Sequence, residues 1–143
     1  MIVLKEITVP ADIGNLAFVT DFVNSILRRL KCSRRNRIQI DVAIDEIFAN
    51  IVHNAYDNNS GKEKGSVCVR VESLRDAGAV AITFIDSGRP FDPRTAKDPD
   101  VSLSLKKRPV GGLGIYMMKR SVDEIRYEYK DGQNILTIQK SLS

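Results

Sequence analysis

The stretch RNRIQIDVAIDEIFANIVHNAY, residues 35–56, carries two superposed patterns. Ile40, Ile44, Ile47, Phe48, Ile51 and Ala55 recur every three or four positions, the apolar stripe of an amphipathic helix. Glu46, Asn50 and Asn54 recur every four, which stacks them along one helical face with neighbours about 5–6 Å apart. Asn is a mediocre helix former, so two of them inside a helix ask for a reason beyond propensity. The spacing predicts a helix over residues 35–56. The polar run Asp57-Asn58-Asn59-Ser60-Gly61 ends it, with Gly61 supplying the left-handed stop.

Upstream, Arg28, Arg29, Lys31, Arg34, Arg35 and Arg37 form a basic segment that turns the chain into this helix. Before it, Ile13, Leu16, Val19, Phe22 or Val23, Ile26, Leu27 and Leu30 mark another amphipathic helix, with Asp12 placed to cap it. Val3 to Val9 alternate and predict a strand closed by Pro10. Downstream, Val67, Val69 and Val71 alternate, Arg75-Asp76-Ala77-Gly78 turns, and Ala79 to Ile85 is a strongly apolar strand. The pair predicts a hairpin whose second strand is central. Residues 86–112 then lose all periodicity under four prolines and three glycines. A loop this long in a short chain is disordered or functional. A helix from Leu113 to Val122 follows, then a hairpin turning at Asp131-Gly132. Strand, two helices, two strands, loop, helix and two strands predict an α+β two-layer sandwich.

The chain has 143 residues, 43% hydrophobic and 28% charged, which suits one globular domain and excludes wholesale disorder. No apolar run approaches the roughly 20 residues of a membrane span. The start, Met-Ile-Val-Leu-Lys-Glu, lacks the pattern of a signal peptide, and the protein is expected in the cytoplasm. Cys32 and Cys68 are expected as free thiols. With His53 the only histidine, a His-rich zinc site is excluded, and with so few Cys and His a four-ligand zinc site is not expected. A net charge of +4 does not by itself call for nucleic acid. The basic segment from Arg28 to Arg37 lacks the interleaved aromatics of a stacking platform, so a solvated tip or a rim for an acidic partner is expected there.

Three polar clusters stand where fold rules alone would not put them. The first is Glu46, Asn50 and Asn54. A neutral amide oxygen suits Mg²⁺, and a carboxylate one turn away can take a proton from a hydroxyl; a solvated helix face also fits these residues. The second is Asp86-Ser87-Gly88 at the end of the apolar strand. A carboxylate accepts from an exocyclic amine and a glycine lets a flat base approach the backbone, while a plain Asp-x-Gly turn is the plainer alternative. The third is Gly111-Gly112-Leu113-Gly114, which opens a helix and can present backbone N–H groups to an anion. It has neither the Walker A nor the Rossmann spacing.

In this order the clusters resemble the GHKL ATPase superfamily, and within it the bacterial anti-sigma-factor serine kinases. Glu46-Ile-Phe-Ala-Asn50-Ile-Val-His53-Asn-Ala-Tyr56 resembles the N box of that branch, Asp86-Ser-Gly88-Arg-Pro-Phe91-Asp92 its G1 box, and Gly112-Leu-Gly114-Ile-Tyr-Met-Met its G2 box. The resemblance covers essentially the whole chain, 1–143. It implies a mixed, mostly antiparallel sheet with about three helices on one face and an ATP lid at about 90–111. It implies ATP or ADP with Mg²⁺ as cofactors. Glu46 would be the general base and Asn50 the Mg²⁺ ligand. Asp86 would bind the adenine amino group with Gly88 beneath the base. Gly112, Leu113 and Gly114 would sit by the phosphates, with Asn54 and Arg108 near them. The implied activity is a serine/threonine kinase acting on a small antagonist protein and sequestering a sigma factor. A homodimer is expected, and neither direct nucleic-acid binding nor a membrane. The alternatives are an ATP-binding interaction module with little kinase activity, serving a partner other than a sigma factor, and a nucleic-acid-binding domain. His53 is read as structural or as a support to the site. Two departures stand out: the second glycine of the wider G1 pattern is replaced around Pro90-Phe91-Asp92, and the last strand carries Gln133-Asn134 where many relatives have Gly-Thr.

Overall fold

Every strand pairing predicted from the alternating apolar runs is present in the computed structural model, which describes residues 2–55, 65–95 and 113–143. The elements are β1 (Ile2–Pro10), α1 (Leu16–Arg29), α2 (Arg34–Asn50), β2 (Ser66–Leu74), β3 (Ala79–Asp86), α3 (Leu113–Ser121), β4 (Glu124–Lys130) and β5 (Gln133–Ser141). The strands form one sheet in the order β1-β2-β3-β5-β4, with β3 at its centre. Each pairing is antiparallel, so the mixed component expected of the sheet is absent among the described strands. No helix among the described residues is long and apolar enough to cross a membrane.

Alternation decides which side of the sheet is apolar. Val67, Val69 and Val71 on β2, Val80, Ile82 and Phe84 on β3, and Leu136 and Ile138 on β5 are all buried. Rows such as Val71–Ile82–Ile138 run straight across the paired strands. This face packs against Val19, Val23, Ile26 and Leu27 of α1 and against Ile40, Ile44, Ile47 and Phe48 of α2. Burial of such side chains contributes about 1.5–3 kcal/mol each. The same alternation carries Asp86 and Asn134, paired across β3 and β5, onto the helix side of the sheet.

Four local details depart from simple periodicity. In β1 the register shifts between Val3 and Lys5, a bulge that brings Leu4, Ile7 and Val9 together on the core. Strict alternation had set Leu4 opposite Ile7. The first helix is shorter than its apolar pattern. Asp12 accepts from the Gly14 amide (2.9 Å) and caps a 3-10 turn over Ile13–Asn15, and α1 begins only at Leu16. The α2 helix starts at an Ser33 cap that accepts from the Asn36 amide (3.2 Å). It ends at Asn50, where the chain widens into a π-turn over Ile51–Ala55. Such widened turns concentrate at functional sites. The predicted continuation to Tyr56 lies outside the described residues. Both cysteines are free thiols, Cys32 buried and Cys68 half-buried.

Candidate functional site

The α2 helix brings Glu46, Asn50 and Asn54 into a hydrogen-bonded ladder. Asn50 Nδ2 donates to the Glu46 backbone carbonyl and to Glu46 Oε1, both at 2.8 Å. Asn54 Nδ2 donates to Asn50 Oδ1 at 2.9 Å. Spacing by four sets up both contacts, the second of them across the π-turn. All three residues are half-buried, whereas His53 in the same turn is exposed. Among the described residues, Asn50 Oδ1 uses one lone pair on Asn54, which leaves the second for another partner.

Beside the ladder, a small cleft is lined by Asn50, Asp86, Phe91, Tyr127, Asn134 and Leu136, among others. Asp86 is the charged residue in its wall and only 4% exposed. Its Oδ1 accepts from the Gly88 amide and from Asn134 Nδ2, each at 2.9 Å. Among the described residues both bonds fall on Oδ1, which leaves Oδ2 to meet an incoming donor. Burial pushes the Asp86 carboxyl above its ordinary range, and the bonds from Asn134 and Gly88 offset part of that rise.

The turn after β3 is sewn to the π-turn. The Arg89 amide donates to the Ala55 carbonyl at 3.1 Å, and Arg89 Nε donates to the Asn54 carbonyl at 2.6 Å. Gly88 lies so close to this backbone that a Cβ would stand 2.6 Å from the Ala55 Cβ and 2.7 Å from its carbonyl carbon. The close approach that requires glycine here is therefore made by the protein's own backbone. Gly88→Ala is expected to destabilise the fold by about 1–3 kcal/mol, because backbone cannot swing aside. A melting curve checks it, and an unchanged midpoint would show that the π-turn yields.

At the other end of the ladder, Gly114 in the first turn of α3 sits against the Glu46 carboxylate, and a Cβ there would overlap it. Glu46 thus faces the N-terminal end of α3, where the helix dipole favours negative charge. The expected site residues Glu46, Asn50, Asn54, Asp86, Gly88 and Gly114 all gather around one end of α2. Leu113 opens α3. Gly112, Arg108 and residues 96–111 of the expected lid lie outside the described residues.

Sequence reasoning assigned no role to Tyr127 or Phe91, and treated Asn134 only as a departure. Asn134 occupies the apolar phase of β5, in line with Leu136 and Ile138, yet is buried at 4% exposure. A polar residue in the core-facing phase of a strand is the signal that points to it. Tyr127 stands beside Arg94, whose guanidinium lies 6.0 Å from its ring centre and pairs with Asp92 at 3.0 Å. The basic segment sits elsewhere. Arg28, Arg34 and Arg37 line a groove between α1 and α2 that also contains Asp21 and Asp41. Arg34 begins α2, roughly 18 Å along the helix from Glu46.

A family model described as the histidine kinase-like ATPase domain matches residues 9–140. The chain belongs to that family. The matched span includes the α2 ladder, Asp86 and α3 together. Among its relatives is the serine/threonine-protein kinase BtrW of Bordetella bronchiseptica, 26% identical over 117 residues, which are 82% of this chain and 79% of that protein. The serine-protein kinase RsbW of Bacillus velezensis is 25% identical over 135 residues, 91% of this chain and 81% of that one. The fold is shared with the RsbU and RsbW domains of a Mycobacterium tuberculosis protein, with a TM-score of 0.64 and 20% identity. That alignment covers 96% of this chain and 32% of the larger one. The SiaB–SiaC complex of Pseudomonas aeruginosa gives a TM-score of 0.60 at 15% identity, covering 96% of this chain and 89% of that one. For this ATPase-family domain, the cleft beside Asp86 and the ladder on α2 are the candidate nucleotide site.

Proposed function

We propose that this protein binds Mg²⁺-ATP and transfers its γ-phosphoryl group to a serine of a small partner protein. The observation that carries the reading is one constellation: a buried carboxylate in a mostly apolar cleft, and next to it a Glu–Asn–Asn ladder whose carboxylate meets a helix N-terminus. The kinase names of its relatives support the same reading.

Each part of the constellation has work to do in phosphoryl transfer, which asks for positioning and charge neutralisation more than for covalent chemistry. Asp86 Oδ2 accepts from the exocyclic amine of adenine, and Phe91, Tyr127 and Leu136 enclose the ring. The open lone pair of Asn50 Oδ1 is the position that would hold Mg²⁺, which neutralises phosphate charge when bound. Glu46 takes the proton of the acceptor hydroxyl as that oxygen bonds to the γ-phosphorus and ADP leaves. The hydrogen bond from Asn50 keeps the carboxylate oriented. The family resemblance gives Gly112, Leu113 and Gly114 the task of holding the phosphates, assisted by Asn54 and Arg108. In the cell, the partner carrying the acceptor serine is an antagonist, and the client held inactive is a sigma factor. The protein works as a cytoplasmic homodimer.

Two measurements test the reading. Mg²⁺-ATP or Mg²⁺-ADP at about 100 times its dissociation constant stabilises by roughly 2.7 kcal/mol, which raises the melting midpoint by several degrees. Flat melting curves with both nucleotides, together with silent calorimetry, would remove the nucleotide site. The second measurement concerns Gly114→Ala. Its Cβ meets the far end of a side chain, so the fold accommodates it by turning the Glu46 carboxylate away. The expected variant melts like the wild type and, with ATP saturating, transfers phosphate on the order of 10²-fold more slowly, the cost of about 1 Å of misplacement. Wild-type transfer by a folded Gly114→Ala variant would argue against Glu46 at the reaction centre.

A further inference from the structure

Asn134 has every donor and acceptor of its amide engaged among the described residues, and it has so far been given nothing to do. Its Nδ2 donates to Asp86 Oδ1 at 2.9 Å and to the Arg89 carbonyl at 2.8 Å. Its Oδ1 accepts from the Phe91 amide at 3.1 Å and from the Tyr127 hydroxyl. An amide has two N–H donors and two lone pairs, and all four are used. Its orientation is over-determined. The Phe91 amide can only donate, so Oδ1 must face it, and the Arg89 carbonyl can only accept, so Nδ2 must face that. Asn134 thus has no group left over with which to touch a ligand, although it lines the cleft.

What it does instead follows from the partners it joins. They come from three segments: the end of β3 (Asp86), the turn that follows it (Arg89 and Phe91), and β4 (Tyr127). Asp86 could rotate its carboxylate freely about the last bond of the side chain, presenting either oxygen to the cleft. Asn134 and the Gly88 amide both hold the same oxygen, Oδ1, and so fix that rotation. Phe91, held through its backbone, forms a side of the same cleft. We propose that Asn134 is a positioning residue that aims Asp86 Oδ2 at the base and holds the Phe91 wall beside it, making the pocket selective for a purine with a 6-amino group. This proposal rests on the reading of the cleft as an adenine site.

The test compares ATP with purine riboside triphosphate, which lacks only the 6-amino group, and with inosine triphosphate, which has an oxygen there. For the wild type, losing the amino group removes a hydrogen bond to a charged acceptor and is expected to weaken binding about 10- to 150-fold. Inosine triphosphate, presenting an acceptor to Asp86, is expected to bind no better than the deaminated analogue. Asn134→Val suits a strand and has no hydrogen-bond donor. It is expected to bind ATP about as weakly as wild type binds the analogue, with discrimination reduced to about threefold or less. Melting curves establish that each variant is folded, and the smaller Asn134→Ala gives the same comparison if the valine is not accommodated. A folded Asn134 variant that keeps the full preference for the amino group overturns the positioning role. Wild-type binding of ATP with no preference over the analogue would sink the proposal while leaving a nucleotide site in place. Absence of any ATP binding would overturn the adenine reading and the proposal together.

Discussion

Asp86→Asn is expected to make the ligand-free protein more stable at neutral pH and to remove its ability to hold ATP. The two effects share one cause. The carboxylate is buried, and burial raises its pKa despite the hydrogen bonds from Asn134 and Gly88. The folded state therefore takes up the Asp86 proton more readily than the unfolded chain. The contribution of this group to stability is full below the ordinary carboxylate range and is lost as pH rises through the raised value. At neutral pH the site holds a charge that the fold would rather not bury. Asparagine removes that charge, and its Oδ1 still accepts from Gly88 and Asn134. The difference in melting midpoint between variant and wild type should grow from acid to neutral pH. Binding runs the other way: the new Nδ2 meets the adenine amine donor to donor, and a hydrogen bond to a charged acceptor worth about 1.5–3 kcal/mol is gone. That is a weakening of about 10- to 150-fold before any repulsion is counted. Calorimetry with Mg²⁺-ATP reads the loss. A variant that binds ATP like the wild type would detach Asp86 from the base, and one less stable than wild type at neutral pH would refute the electrostatic account.

Glu46→Gln is expected to separate binding from chemistry. Glutamine keeps the shape of the side chain and an oxygen to accept from Asn50 Nδ2, so the ladder on α2 and the cleft beside it stay intact. It cannot take a proton from an acceptor hydroxyl. Loss of a general base costs on the order of 10²–10⁴-fold in rate. The substitution also removes a negative charge from the N-terminal end of α3, where Glu46 packs against Gly114, at an expected cost of about 0.3–1 kcal/mol in stability. Equilibrium binding and labelled phosphotransfer on the same preparation distinguish these effects. Unimpaired transfer would dismiss Glu46 as the base. Lost ATP binding would give it a structural part in the cleft instead.

Much of the architecture was legible because its signals are local and periodic. Alternation along β2, β3 and β5 found the strands and their apolar face, and the 3.6-residue period found α1 and α2. The ladder was legible for the same reason, since residues four apart on a helix are neighbours wherever that helix goes. Errors came where a local pattern was bent. The bulge at Val3/Lys5 adds a residue that alternation cannot anticipate. The π-turn at Ile51–Ala55 looks, in sequence, like more of α2.

Other parts of the site were not legible at all. Gly88 looked like a glycine kept small for a ligand, but the Ala55 backbone is what lies against it, 33 residues away in the chain. Gly114 and Glu46 meet only because α2 and α3 pack side by side. Asn134 looked like a departure from a motif, yet strand register sets it opposite Asp86. The sequence alone determined which residues could carry chemistry, because side-chain type and helical or strand period are properties of a few neighbouring positions. The tertiary structure alone decided which of them meet and which oxygen of Asp86 is left free. Those facts depend on the register between strands and the packing between helices, and both are set by the burial of the whole apolar face at once.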